Sequence, residues 1–307
     1  MNGYQVVLAF LLGGSSTPQI AGGVASCFAS SINQQLTNNP KAAMTQYARQ
    51  IKAVAATTLS FKAICDYNIR IFPHDGYDRY YRSLQNGTGL LNSHEQMNTY
   101  MACYADMHRV KLNKAFDRLF ANGALHGKTI EVIDWGCGQA FAACTLIDYV
   151  REHGIAISIR KITLIEPSAA ALNRGWEHLD ALHQGVERPQ IVMINKSADA
   201  TLVGSLSSEE GIVKLHLFSN ILDIDNLNLE MVKRNVLLCC KGVNYMVCVS
   251  PSNLGSNRLR LFRGSFRGIQ PLDEHTLPIQ AEVFRPSKMR RIPFRVTCIR
   301  CIFKIYN

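Results

Sequence analysis

Over the second half of the chain, short apolar runs alternate with longer stretches of helical spacing. Ile130, Val132 and Ile133, closed by Asp134, have the β-branched content of a buried strand. Lys161–Pro167, Gln190–Asn195, Val213–Asn220, Asn244–Ser250 and Val296–Tyr306 repeat the pattern. Between them, the stretch from Ala140 to a C-terminal cap at Gly154, Ser168–Leu182 and Leu227–Leu238 carry apolar residues three and four apart. Strands alternating with helices predict a mostly parallel sheet covered on both faces, a three-layer α/β sandwich.

Upstream the pattern is helical. Lys41–Tyr67 is rich in Ala, Gln, Lys and Met, and His94–Phe120 has apolar and aromatic residues at helical spacing. Pro73, Gly76, Gly87 and Gly89 separate the two. This divides the chain into an uncharged segment 1–40, a helical cap region 41–124 and an α/β domain 125–307. The first 40 residues hold no Lys, Arg, Asp or Glu, and their apolar run Val6–Leu12 stops at Gly13 and Gly14. Val24-Ala25-Ser26-Cys27 resembles a lipoprotein cleavage box, but the basic start of a secretory signal is missing. A poorly ordered or partner-dependent segment is expected there. No run reaches the ~18 apolar residues of a membrane span, so a cytoplasmic protein with no membrane partner is expected.

The densest chemistry lies in Ile130–Ala140, I-E-V-I-D-W-G-C-G-Q-A. A strand passes through Gly136 and Gly138 into a helix, which leaves backbone N–H groups free above the sheet edge for a nucleotide-like ligand. About thirty residues on, K-I-T-L-I-E-P ends a second strand in Glu166. A carboxylate there can accept from a ribose diol; it can equally cap the helix beginning near Ser168.

D-W-G-C-G-Q-A followed by L-I-E-P-S resembles the first two motifs of class I S-adenosylmethionine-dependent methyltransferases. The dinucleotide fingerprint wants a glycine where Phe141 stands, so a dehydrogenase ranks behind. The resemblance covers roughly residues 125 to 307 and implies a Rossmann-like sheet of about seven strands with S-adenosylmethionine as cofactor. It places Asp134, Gly136, Cys137, Gly138, Glu166, Pro167, Asp199 and Asn220 at that cofactor. Asp199 falls where the family contacts the adenine amino group; a helix N-terminal acid is the alternative. Asn220 begins the fourth motif, and Asn220 and Asp223 are the polar candidates beside the acceptor. The family's last motif glycine is Ala140 here, a small residue expected to open the helix. Ile221-Leu222 replaces the Pro-Pro-aromatic run of enzymes that methylate exocyclic base amines, and no Pro-Cys pair is present for attack on a pyrimidine.

Composition supports a folded chain: 47% of residues are apolar and 18% charged. Charge changes the picture only at the end, where residues 251–307 hold 11 Lys+Arg against 3 Asp+Glu, a net +8 of the chain's +10. Arg258, Arg260, Arg263 and Arg267 recur at helical spacing with Phe262 and Phe266 among them, and Lys288, Arg290 and Arg291 follow. Such a stretch can hold RNA or DNA phosphates and stack bases, or be a solvated face over buried rings. Ten cysteines include one Cys-x-x-Cys, Cys298 and Cys301, whose members face opposite sides of a strand, so no metal and no disulfide framework is expected. The expected function is methyl transfer from S-adenosylmethionine, with RNA or another nucleic acid as acceptor. The alternative is a methyltransferase-like binding module without activity.

Overall fold

A computed structural model describes residues 44–185, 187–252 and 256–307. The uncharged segment 1–40, with its Val24–Cys27 box, lies outside the described residues.

Helices come first: α1 (Gln46–Ala55), α2 (Phe61–Ile71), α3 (Tyr77–Ser83) and α4 (His94–Phe120). The stretch Lys41–Tyr67 thus contains two helices rather than one. Its break is fixed by Asp148, whose carboxylate accepts the N–H groups of Phe61 at 2.7 Å and Lys62 at 2.9 Å at the start of α2. α4 opens on a capping box: the Ser93 hydroxyl accepts from the Gln96 N–H, and the Gln96 side chain accepts from the Ser93 N–H.

The α/β part follows as β1 (Thr129–Trp135), α5 (Phe141–Glu152), β2 (Ser158–Ile165), α6 (Ala169–Leu182), β3 (Gln190–Ile194), β4 (Val213–Ser219), α7 (Leu229–Cys239), β5 (Val243–Pro251), α8 (Ser256–Gly264), β6 (Gln270–Arg285) and β7 (Arg290–Tyr306). They form one seven-stranded sheet in the order β3-β2-β1-β4-β5-β7-β6. β1 to β5 pair in parallel, while β7 runs antiparallel between β5 and β6. The strand order reverses between β1 and β4, which opens a crevice at their carboxyl ends.

Alternate residues of each strand feed two cores. Val132, Ile162, Leu164, Leu215, Leu217 and Val247 pack under α1, α2 and α4 to α6. Ile133, Trp135, Phe218, Met246, Cys248 and Phe303 pack under α7 and α8. Cys298 and Cys301 fall in opposite cores, as expected from their spacing in a strand. The nine cysteines among the described residues are all free, and these residues hold no cluster of three or more metal-binding side chains. None of their helices is long and apolar enough to cross a membrane.

The apolar pattern misses β6. This outer strand contains Pro271 and Pro278, together with Asp273, Glu274 and Glu282. Prolines and charges suit an edge, where an unpaired row of backbone groups must be kept from pairing with another chain.

The N-terminal helices reach the sheet through a buried relay. Asn68 donates to the Tyr47 hydroxyl at 2.8 Å, and that hydroxyl lies 2.7 Å from His178 Nε2. His178 Nδ1 in turn donates to the Gln139 carbonyl at 3.0 Å. His178 is therefore neutral, with burial foremost in lowering its pKa to about 3. Tyr47→Phe strands the ring nitrogen, and unfolding in urea should show a loss of about 1–3 kcal/mol at unchanged slope. The pH dependence has a definite sign. The native His178 pKa lies below its ordinary 6.5, so the unfolded chain takes the proton first, and stability through this group falls as pH drops through 6.5. His178→Gln should flatten that acid limb.

Candidate active site

The turn after β1 is held from four directions. Asp134 accepts the Ala143 N–H at 3.0 Å, which ties the end of the strand to the first turn of α5. Glu166 accepts the Gly138 N–H at 3.0 Å and the Ser168 N–H at 2.9 Å, one on each carboxylate oxygen. The Gln139 side chain donates to the Met97 carbonyl of α4 at 3.2 Å, and His178 holds the Gln139 carbonyl. Gly136 has φ +60, which favours glycine, and a Cβ there would push on the Ile221 side chain.

Two details differ from expectation. Ala140 is not in the helix but precedes it, at φ 57 and ψ 37. The left-handed conformation of a motif glycine is thus kept by an alanine, at a cost of about 1–2 kcal/mol. Asp134 and Cys137, expected at the cofactor, are instead buried beneath the turn. Asp134 is 1% exposed and bound to α5, and burial raises its pKa to about 7. The Cys137 thiol points to the Gly138 carbonyl, and burial raises its pKa.

Over the turn lies a cleft of about 330 Å³. Gly136, Gly138, Glu166, Pro167, Asp199 and Asn220 all line it, so the structure brings together six of the eight expected cofactor residues. Glu166 serves as cap and cleft wall at once, and burial raises its pKa. Asp199 binds the Ser197 hydroxyl and accepts the Asn228 N–H at 2.9 Å, which places it at the start of α7. The roof is Gly87–Leu91, a loop between α3 and α4.

Beside the cleft is a second chamber of about 220 Å³, which shares Gly87, Thr88, Tyr100 and Asn220 with it. Asn220 leaves β4 in the left-handed conformation, at φ 56. Its amide oxygen accepts from Lys111 Nζ, and its amide nitrogen donates to His108 Nε2 at 3.1 Å. Burial and the nearby Lys111 charge hold His108 neutral, well below its ordinary range. Asp223, the second residue expected beside the acceptor, lines the chamber and accepts the Ser250 hydroxyl at 3.0 Å.

Tyr100, Tyr104, His108 and Lys111 of α4 supply one wall of that chamber. Sequence reasoning missed all four. Their signal was present: they recur at spacings of four, four and three along one helical face.

In the basic C-terminal stretch the rings are buried, as in the second of its two readings, and most of the arginines have partners within the fold. Arg258 donates to the carbonyls of Leu222 and Leu227, and Arg260 and Arg263 both pair with Glu274. Arg267 is exposed. Phe262 and Phe266 are 1% and 5% exposed and pack into the core under α8, so neither can stack on a base. Arg291 pairs with Asp66 and Asp106, while Lys288 and Arg290 are exposed.

Lys111 carries a pH prediction. Burial brings its pKa from 10.5 to about 8. Between those values the unfolded chain binds the extra proton, so stability through this group rises from pH 8 to 10.5 and is lowest below 8. The full swing is about 3 kcal/mol. Thermal melting across this window should show the rise in the wild type and not in Lys111→Met; parallel curves would refute it.

No protein-family model matches the chain, and no curated protein matches it in sequence. Solved structures resemble it over much of its length. The S-adenosylmethionine-bound magnesium protoporphyrin IX methyltransferase of Synechocystis is 12% identical, covering 85% of this chain and 98% of that one at a TM-score of 0.39. An rRNA methylase of Streptococcus thermophilus is 12% identical over 64% of this chain and 97% of its own, at 0.37. A SAM-dependent methyltransferase of Leishmania major is 13% identical over 73% and 82%, at 0.39. In its own strand order, its glycine turn and the acid that ends β2, the chain has the class I methyltransferase fold.

Proposed function

We propose that this protein transfers a methyl group from S-adenosylmethionine to a small acceptor held in the chamber beside the cofactor cleft. One observation carries the reading: the glycine turn and Glu166, joined by a hydrogen bond, together line a cleft at the β1/β4 switch point. The residues present suit the cofactor. Each Glu166 oxygen accepts one backbone N–H, which leaves a lone pair on each for the two hydroxyls of a ribose. A Cβ at Gly138 would meet nothing within 4 Å, so the turn leaves room for a ligand to approach the backbone closely. Asp199 and Ser197 line the same cleft and are suited to the base.

The cofactor brings an activated methyl on a sulfonium, so the protein's task is alignment and exclusion of water. Leu91 and Ile221 supply apolar cover. Asn220 lies at the junction of cleft and chamber, and its amide serves as a positioning group through Lys111 and His108. Asp223 is the carboxylate nearest an acceptor.

RNA or DNA as acceptor is a weaker reading, because Arg258 is tied to backbone carbonyls, Arg260 and Arg263 are paired with Glu274, and both phenylalanines are buried. Arg267, Lys288 and Arg290 remain exposed for phosphates. A binding module that keeps the cofactor but transfers nothing is favoured by the Asn220 amide, already engaged by its neighbours.

Calorimetry tests the cofactor these readings share, and transfer of a labelled methyl group to an acceptor separates an enzyme from a binding module. S-adenosylmethionine should bind and NAD should not, and Glu166→Ala should weaken binding by about 2–4 kcal/mol through the loss of two charge-assisted bonds. NAD binding without any response to S-adenosylmethionine would overturn the assignment.

A further inference from the structure

The chamber beside the cleft has a composition that selects its occupant. At about 220 Å³ it is smaller than sites for drug-sized ligands. Tyr100, Tyr104 and Phe294 give it flat aromatic walls, with Met107 and Val296 between them. The Tyr100 and Tyr104 ring centres are 5.1 Å apart, and Tyr104 stacks on His108 at 5.9 Å. Such faces take a planar ring by offset or edge contacts.

Into this wall comes Lys111, 4% exposed. Its side-chain partner among the described residues is a neutral amide, that of Asn220, and not a carboxylate. An ammonium carries three donors, and a buried one without a carboxylate in contact is expensive. Burial lowers the Lys111 pKa, and the charge of Asp223 on the same lining offsets only part of that. His108 gives no compensation, since it is neutral.

We propose that the chamber binds a small aromatic monoanion, a ring carrying one phenolate-type oxygen, with Lys111 as its counter-charge. The phenolic proton leaves to solvent on binding, and the oxygen is held as the anion next to Asn220, at the junction with the cleft. Asp223, on the same lining, makes a second negative charge unfavourable and limits the ligand to one. As an acceptor site the chamber rests on the methyl-transfer reading; as a binding site it needs no cofactor.

The test uses the whole protein and two probes of nearly equal shape. 4-Nitrophenol can ionise, whereas 4-nitroanisole cannot. The wild type should bind 4-nitrophenol at least tenfold more tightly, and the yellow anion should appear on binding below the solution midpoint of the free phenol. Lys111→Met should abolish the colour change and bring both affinities together, with melting cooperativity showing that the variant is folded. Equal affinity of the wild type for both probes would overturn the proposal even if the variant fails to fold. So would a colour change that survives Lys111→Met. Binding of S-adenosylmethionine without probe discrimination would sink the chamber alone. Discrimination without S-adenosylmethionine binding would leave the anion chamber standing and remove the methyl-transfer reading.

Discussion

The site depends on the immobility of five residues, Gly136 to Ala140. A turn with three positive φ angles, at Gly136, Gly138 and Ala140, has no secondary structure of its own to stabilise it. Its shape is imposed by hydrogen bonds from outside: Glu166 on one side, Gln139 reaching Met97, and His178 on the Gln139 carbonyl. The last of these continues through Tyr47 to Asn68, so helices near the start of the chain fix the geometry of a loop at the sheet. These helices are therefore part of the site's support as well as a covering layer. Because the links through Gln139, His178, Tyr47 and Asn68 are buried, the loss of any one of them leaves a polar group without water.

Asn220 concentrates a second constraint. Its backbone N–H is held by Val249 on the neighbouring strand at 2.8 Å, and its amide faces α4. One residue in a left-handed conformation thus joins the sheet, the cofactor cleft and the aromatic chamber. Its conformation also directs the chain that follows, so that Ile221 lands against the glycine turn and Asp223 against the chamber. Shape in the two cavities is coupled because they share this wall.

The alternating fold was legible because each buried parallel strand has to be apolar on both faces, and helices must cover both. β6 escaped because an edge strand obeys the opposite rule and carries prolines and charges. In the site, Gly136, Gly138 and Glu166 could be read because backbone conformation and strand ends constrain them locally. Asp134 was misplaced: the same acid can face a ligand or hold a helix, and only packing decides. The pairing of Arg260 and Arg263 was not legible for a related reason, since Glu274 lies on a different element and no local pattern joins them. The α4 wall was missed because a tyrosine and histidine stripe reads like ordinary core until the partner β4 loop is placed against it.

The tie between Tyr47 and His178 spans 131 positions of sequence. The glycine turn therefore cannot reach its final shape until α6 has been made and has docked on α1, although β1 and its turn come earlier in the chain. Contacts of such long range form late, after the entropy of closing the intervening loop has been overcome. The cleft is then a readout of completed folding rather than of local structure. A ligand that needs the finished turn binds only the fully docked state and draws that equilibrium toward itself in proportion to its concentration. In this architecture ligand supply and chain maturation are thermodynamically linked through Gln139, whose carbonyl meets His178 and whose side chain meets α4.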